Sequence, residues 1–249
     1  MIKGCCLLCF SVLCMCVTRA QVGRITDRNQ ISWPQLFMTI RLNKHLDVHG
    51  EYQWRRTNGF RNGQQCLFRT ALQYRFNEQV SAQIGYAWVE TYSYGDYPIA
   101  ANGRFPEHRL YQQLLLQQPL NRLRITHRFR TEQRFLGKIK PGTQREVEDW
   151  VYLNRFRYMI RAQQQLFAKK QTRFYCAVAD ELFIGAGEKI GLNVFDQNRL
   201  SLLAGIISGK QIQAEAGFLQ QILQQGSPVN SRAVFQKNNG WVLAVYLKL

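Results

Sequence analysis

The sequence predicts an all-β chain, a single up-and-down antiparallel transmembrane β-barrel of ten to twelve strands, on three observations. Side chains alternate in character at period two, the connections between alternating segments are short and long in turn, and the tryptophans gather at one end of the segments. The clearest alternation runs from Leu120 to Phe135. Arg122, Arg124, Arg128, Arg130, Glu132 and Arg134 share one parity, while Leu123, Ile125, His127, Phe129, Thr131 and Phe135 share the other. On a helix these residues would scatter around the axis; on a strand one face is cationic and the other largely apolar.

In chain order, residues 1–20 come first. Lys3, an apolar run from Cys5 to Val17 and then Thr18-Arg19-Ala20 read as a secretory signal peptide, since the run is short of the roughly 20 residues that span a bilayer. Cleavage leaves residues 21–249 as one barrel domain exported to the outer membrane of a Gram-negative cell. It also removes Cys5, Cys6, Cys9, Cys14 and Cys16, so the mature chain keeps Cys66 and Cys176 as apolar fillers without metal-ligand spacing. No metal or cofactor is expected.

Strands are expected at 33–42, 46–56, 65–76, 80–92, 107–117, 121–135, 148–162, 171–183, 198–208, 211–224 and 239–249. Each is about the ten residues that a tilted membrane strand needs. Asn43-Lys44, Asn77 to Gln79, Gln118 to Leu120 and Ser208 to Lys210 make tight turns, whereas 57–64, 93–106, 136–147, 184–197 and 225–238 are long and rich in Gly, Asn and Pro. Bacterial barrels normally have even strand counts, so either a further short strand lies in Val22 to Gln30, giving twelve, or one end strand lies outside the wall, giving ten. Twelve is preferred. Trp33, Trp54, Trp88, Trp150 and Trp241 all fall at strand ends beside long loops, the arrangement of a membrane-interface girdle.

The chain resembles a family of Bacteroidetes outer-membrane barrels of unknown function. The resemblance rests on Glu107-His108-Arg109 with Gln112-Gln113, on His127-Arg128 to Phe135, on Arg155 to Tyr158, on Asp180 to Phe183 and on Phe195 to Arg199, in that order. It implies a barrel in the outer membrane and, with it, delivery by the barrel assembly machinery and contact with membrane lipid or lipopolysaccharide. It implies no reaction or ligand. The chain departs from the usual pattern in ending at Leu249 instead of an aromatic residue.

Without Lys3 and Arg19 the 33 basic residues become 31, against 16 acidic ones, a formal charge of +15. The excess points to an anionic partner such as lipid headgroups, lipopolysaccharide or a small anionic solute. Export and the period-two spread of the charges argue against nucleic acid. Arg109, Arg122, Arg124, Arg128, Arg130, Arg134, Arg155 and Arg157, with Arg69, Arg75 and Arg161, are expected to face the lumen. Glu51, Glu107, Glu132, Glu181 and Glu215 supply counter-charges. Two uses of that wall stand side by side: an arginine–glutamate network bracing a narrow barrel, and a slim anion-preferring pore or binding cavity. The expected function is therefore that of a structural or binding barrel without evident catalysis, or of such a pore.

Two other readings remain open. His108 and His127 are acid–base candidates for a lipid- or lipopolysaccharide-modifying barrel enzyme, although neither Ser81 nor Ser93 lies in a recognisable nucleophile motif. The alternating segments would also suit a soluble periplasmic β-sandwich that binds anionic polymers. Asp180, Glu181 and Asp196, on either side of 184–197, match no calcium loop and are expected to pair with Arg199 and its neighbours.

Overall fold

Alternation of large and small, polar and apolar side chains sets the strands. In β8 (Thr172–Ala186), Tyr175, Ala177, Glu181 and Phe183 are buried, while Cys176 and Val178 are exposed. The computed structural model describes residues 23–100, 103–143 and 145–249; the expected signal segment lies outside them. Eleven strands follow in order: β1 (Arg24–Arg41), β2 (Leu46–Thr57), β3 (Asn62–Arg75), β4 (Val80–Tyr92), β5 (Arg104–Leu120), β6 (Leu123–Ile139), β7 (Val147–Lys169), β8, β9 (Phe195–Ser208), β10 (Ile212–Gln224) and β11 (Ala233–Lys248). There is no helix among the described residues.

Consecutive strands pair antiparallel around a closed ring, and β1 meets β11 to complete it. With an odd number of strands the first and last run the same way, so this seam is parallel, from Arg24↔Ala233 to Thr39↔Lys248. Eleven falls within the ten to twelve expected from the sequence. The stretch thought to hold a separate twelfth strand instead lengthens β1, and its first residues pair with β11 alone, because β2 begins its pairing at Ile31. Within the β1–β2 ladder, Trp33 and Pro34 have no partner on β2, consistent with the missing proline N–H. The closed ring contains no second packed sheet, so the sandwich reading falls away.

The turns at one end are tight for local reasons. Asn43 and Asn77 make equivalent turns: each side-chain oxygen accepts from two backbone N–H groups, those of His45 and Leu46 at 2.8 and 2.9 Å, and those of Gln79 and Val80 at 2.8 Å each. Asn121, with φ of 56°, carries the turn from β5 to β6 in the left-handed region that asparagine tolerates. The opposite end carries the longer connections.

The period-two pattern gives the wall two faces. Leu36, Met38 and Ile40 of β1, Phe68 and Leu72 of β3, Phe156 and Ile160 of β7, and Leu202 and Ile206 of β9 point outward and are exposed. Inward, Ile31, Trp33, Tyr175, Ala177, Leu203, Leu219 and Val242 form an apolar cluster that fills the barrel on the side of β1 and β8 to β11. Two inward aromatics lie flat against glycines. A Cβ on Gly205 would sit 2.3 Å from the Tyr175 ring and hydroxyl, and one on Gly85 would sit 2.7 Å from the Tyr111 ring, so each glycine makes room for a ring across the wall.

Candidate functional site

The buried arginines and the carboxylates that pair with them come mainly from β2 to β9. Glu132 on β6 accepts from Arg155 Nε at 2.8 Å and from Arg157 Nη1 at 2.6 Å, both on β7. Arg155 then reaches Asp196 on β9 at 2.7 Å, and Arg157 reaches Glu181 on β8 at 2.7 Å. Arg128 shares Glu181 at 2.8 Å. On the other flank Glu107 receives Arg109 at 2.6 Å and Arg134 at 2.5 Å, and Glu51 is paired with Arg69. Arginine suits these places because its fork binds two carboxylates at fixed angles and its planar face stacks on rings.

Aromatic plates separate the guanidinium groups. Arg157 lies 4.3 Å over Phe183, and Arg199 lies 4.6 Å from Phe183 and 4.9 Å from Trp33. Arg55 covers Trp33 at 4.1 Å, and Arg130 covers Tyr111 at 4.6 Å. Arg55 and Arg199 form no ion pair among the described residues, and Arg130 has only a long one. Arg55 hydrogen-bonds Gln53 and Gln65, Arg199 donates to Gln197 at 3.1 Å, and Arg130 donates to Gln113 at 2.9 Å while remaining 3.7 Å from Glu132. Arg69 Nε, Arg128 Nε, Arg130 Nη1 and the Tyr111 hydroxyl are buried without a hydrogen-bond partner among the described residues. Such orphan donors are the places where water or an anion gains most.

At the long-loop end, residues 93–100 fold across the mouth from β4 toward β11. The Tyr94 hydroxyl donates to Gln236 on β11 at 2.9 Å and accepts from Asn238 at 3.2 Å and Gln64 at 3.3 Å. The Tyr97 carbonyl accepts from Gln236 at 3.0 Å and from Gln225 at 2.6 Å. Burial pushes the Tyr94 phenol above its ordinary range. From Tyr94 the bonds continue through Gln64 to Trp33 Nε1, and from Asn238 through Gln221 and Gln197 to Arg199. The mouth loop is thus tied to the arginine cluster.

Of the residues singled out from the sequence, Arg128, Arg130, Arg155 and Arg157 gather around Glu132 and Glu181, and Arg109 and Arg134 share Glu107 in a second group. Arg122 and Arg124 join neither. Arg122 occupies the turn before β6, and both are exposed at the short-turn end, because β6 begins at Leu123. Asp196 and Glu181 pair with Arg155, Arg157 and Arg128, while Arg199, expected beside them, bonds Gln197 instead. The register shift at Phe183/Ile184 places one extra β9 residue against β8, which allows Asp196 and Gln197 both to be buried.

The expected girdle needs one correction. Trp54, Trp150 and Trp241 are exposed on the outward face, and Trp88 is half-buried there, but Trp33 is 2% exposed and lies inside the barrel. Its parity follows Asp27 and Ile31, and the run Ile31-Ser32-Trp33-Pro34 carries no clean alternation from which that parity could be read.

The histidines sit on the outward face beside phenols. His108 Nδ1 is 2.6 Å from the Tyr86 hydroxyl, and His127 Nδ1 is 2.9 Å from the Tyr158 hydroxyl. Ser81 is buried on the inward parity, and Ser93 is exposed in the mouth loop. The outward face also bears an apolar groove of about 800 Å³ lined by Leu72, Ile84, Leu114, Phe129, Phe156 and Leu182. On β5 and β6 beside it, Gln112 accepts from Thr131 at 2.7 Å and from Gln133 at 3.2 Å, so these outward polar groups satisfy one another. Cys66 and Cys176 are free thiols.

From the sequence, the tyrosine-rich connection from Ser93 to Pro106, with Tyr92, Tyr94, Tyr97 and Phe105, suits either contact with a ligand or another cell or packing into the barrel mouth, and Tyr94 is packed into the mouth. The roles of Gln64, Gln221, Gln236 and Asn238, all buried amides, were not legible. No curated protein and no solved structure matches the chain. A family model described as "Protein of unknown function (DUF2490)" matches residues 30–232, most of the chain, and this closed β-barrel belongs to that family.

Proposed function

We propose that the protein is an integral outer-membrane β-barrel that is sealed in its ground state and acts as a structural or binding barrel. The observation that carries this reading is the inversion of the wall: exposed Leu, Ile, Phe and Trp outside, and buried Arg–Glu pairs inside. A soluble chain exposing so continuous an apolar surface would aggregate, whereas in a bilayer that surface is solvated by lipid and closure leaves no strand edge unpaired. The outward groove along Leu114 and Phe129 is then filled by acyl chains. Sealing is supported by the apolar fill around Trp33, the network around Glu132 and the Tyr94 loop.

A narrow anion-preferring pathway is the second reading, favoured by Arg55 and Arg199, which hydrogen-bond glutamines and form no ion pair among the described residues. The lipid-modifying enzyme has weaker support: the His108–Tyr86 and His127–Tyr158 pairs bring no serine or carboxylate within bonding distance among the described residues. Lipid mass spectrometry on strains carrying H108A and H127A, with altered species as the positive result, tests it.

Fractionation and heat-modifiable gel migration test the main reading. Folded protein in the outer membrane is expected, and a detergent-independent periplasmic product overturns it. Planar-bilayer recording then separates the first two readings: little current is expected, and a steady anion-selective conductance favours the pore.

A further inference from the structure

The short-turn end carries a second cationic feature, separate from the arginine network. A cavity of about 60 Å³ opens inside this rim, lined by Arg122, Arg124, Gln163, Gln165, Arg173 and Tyr175. Its walls come from β6, β7 and β8, with Pro119 of β5 and Ile207 of β9 at the sides, and Arg124, Gln163, Gln165, Arg173 and Tyr175 lie on the inward parity of their strands. Arg122, Arg124 and Arg173 form no ion pair among the described residues, in contrast to the arginines deeper inside.

The nearest carboxylate behind the cavity is already committed. Tyr175 donates from its hydroxyl to Glu215 at 2.8 Å, Tyr246 does the same at 2.8 Å, and Arg161 completes Glu215 at 2.7 Å. The Tyr175 ring therefore forms a floor between that neutralised cluster and the unpaired guanidinium groups. Across the rim, the Asp47 carboxylate is 3.9 Å from Arg41 and 3.3 Å from Arg75.

These three exposed arginines, on the turn before β6, on β6 and on β8, bring like charge to one cavity without a counter-charge, and an anion bound there relieves their repulsion. A void of this size holds a few waters or one tetrahedral oxyanion, and the guanidinium fork matches phosphate oxygens in pairs. Gln163 and Gln165 add amide donors at the inner edge. We infer that the short-turn mouth, at Arg122, Arg124 and Arg173, is a binding site for a phosphate-type oxyanion, presented either as a free ion or as the headgroup of an anionic phospholipid. The free-ion form does not depend on the membrane reading; the headgroup form rests on it.

The test uses the full mature chain folded in zwitterionic detergent, with inorganic phosphate as probe against chloride at matched ionic strength. Thermal unfolding is expected to shift upward with phosphate and not with chloride. The double variant R124Q/R173Q is expected to need at least ten-fold more phosphate for the same shift, while K210Q, on the exposed turn after β9, keeps the wild-type response. Heat-modifiable migration shows that each variant is folded before titration. Equal responses to phosphate and chloride, or an unchanged response in R124Q/R173Q, overturn the site. Vesicles of phosphatidylglycerol against phosphatidylcholine identify the source: loss of the phosphate response in phosphatidylglycerol assigns the headgroup, and its retention assigns the free ion. Fractionation answers the membrane question independently.

Discussion

Tyr94, in the connection after β4, donates a 2.9 Å hydrogen bond to Gln236 on β11, across the mouth of the barrel. β4 and β11 stand four places apart around the eleven-strand ring, so the loop that carries Tyr94 crosses the opening to reach Gln236. The bond converts a long connection into a cover.

Replacing Tyr94 by Phe removes the donor to Gln236 and the acceptor used by Asn238 and Gln64, leaving buried amides unsatisfied. The expected cost is about 1–3 kcal/mol of loop closure. Proteolysis within 93–103 of the folded barrel should accelerate about ten-fold or more, while cutting elsewhere stays at the wild-type rate.

Glu132 joins Arg155 and Arg157 within the interior, so E132Q leaves two buried guanidinium groups short of a charge. Losing one member of such a group typically costs about 3–5 kcal/mol. The exposed pair Lys140–Glu146, with side chains 51% and 58% exposed, is the control: E146Q is expected to cost less than about 1 kcal/mol. Urea unfolding midpoints in detergent compare the two.

Gly205 admits the Tyr175 ring, and a methyl group there collides with it. G205A is expected to lose about 1–3 kcal/mol through overpacking. The loss should shrink in the Y175L background, so that a double-mutant cycle gives a coupling of about 1 kcal/mol or more. Additive losses would mean that the ring does not depend on the glycine.

Which features were legible in the sequence follows from periodicity. Strands such as β6 and β8 declare themselves because side-chain parity alone separates Arg130 and Glu132 from Phe129, and Tyr175 from Cys176. Parity fails where the ladder is irregular. The parity of Trp33 cannot be read because apolar Ile31 and Trp33 flank Ser32 beside a proline, and the burial of Asp196 follows from a bulge that is invisible in composition. β7 runs on to Lys169, past the expected residue 162, through Gln163, Gln164 and Gln165, which read as polar loop but pair with β6 and β8. The partners of Tyr94 could not be read at all: Gln236 is 142 residues away, and glutamine in a strand carries no sign of what it bonds.

The account turns on which face of the wall meets lipid, and tryptophan reports that directly. Single-tryptophan proteins retaining Trp33 or Trp241, folded into bilayers of brominated phosphatidylcholine, place one indole inside the barrel and the other on its outward face at 70% exposure. Strong quenching of Trp241 with Trp33 nearly unaffected is the predicted result. Equal quenching of both, or none for Trp241 in a folded barrel, would contradict it.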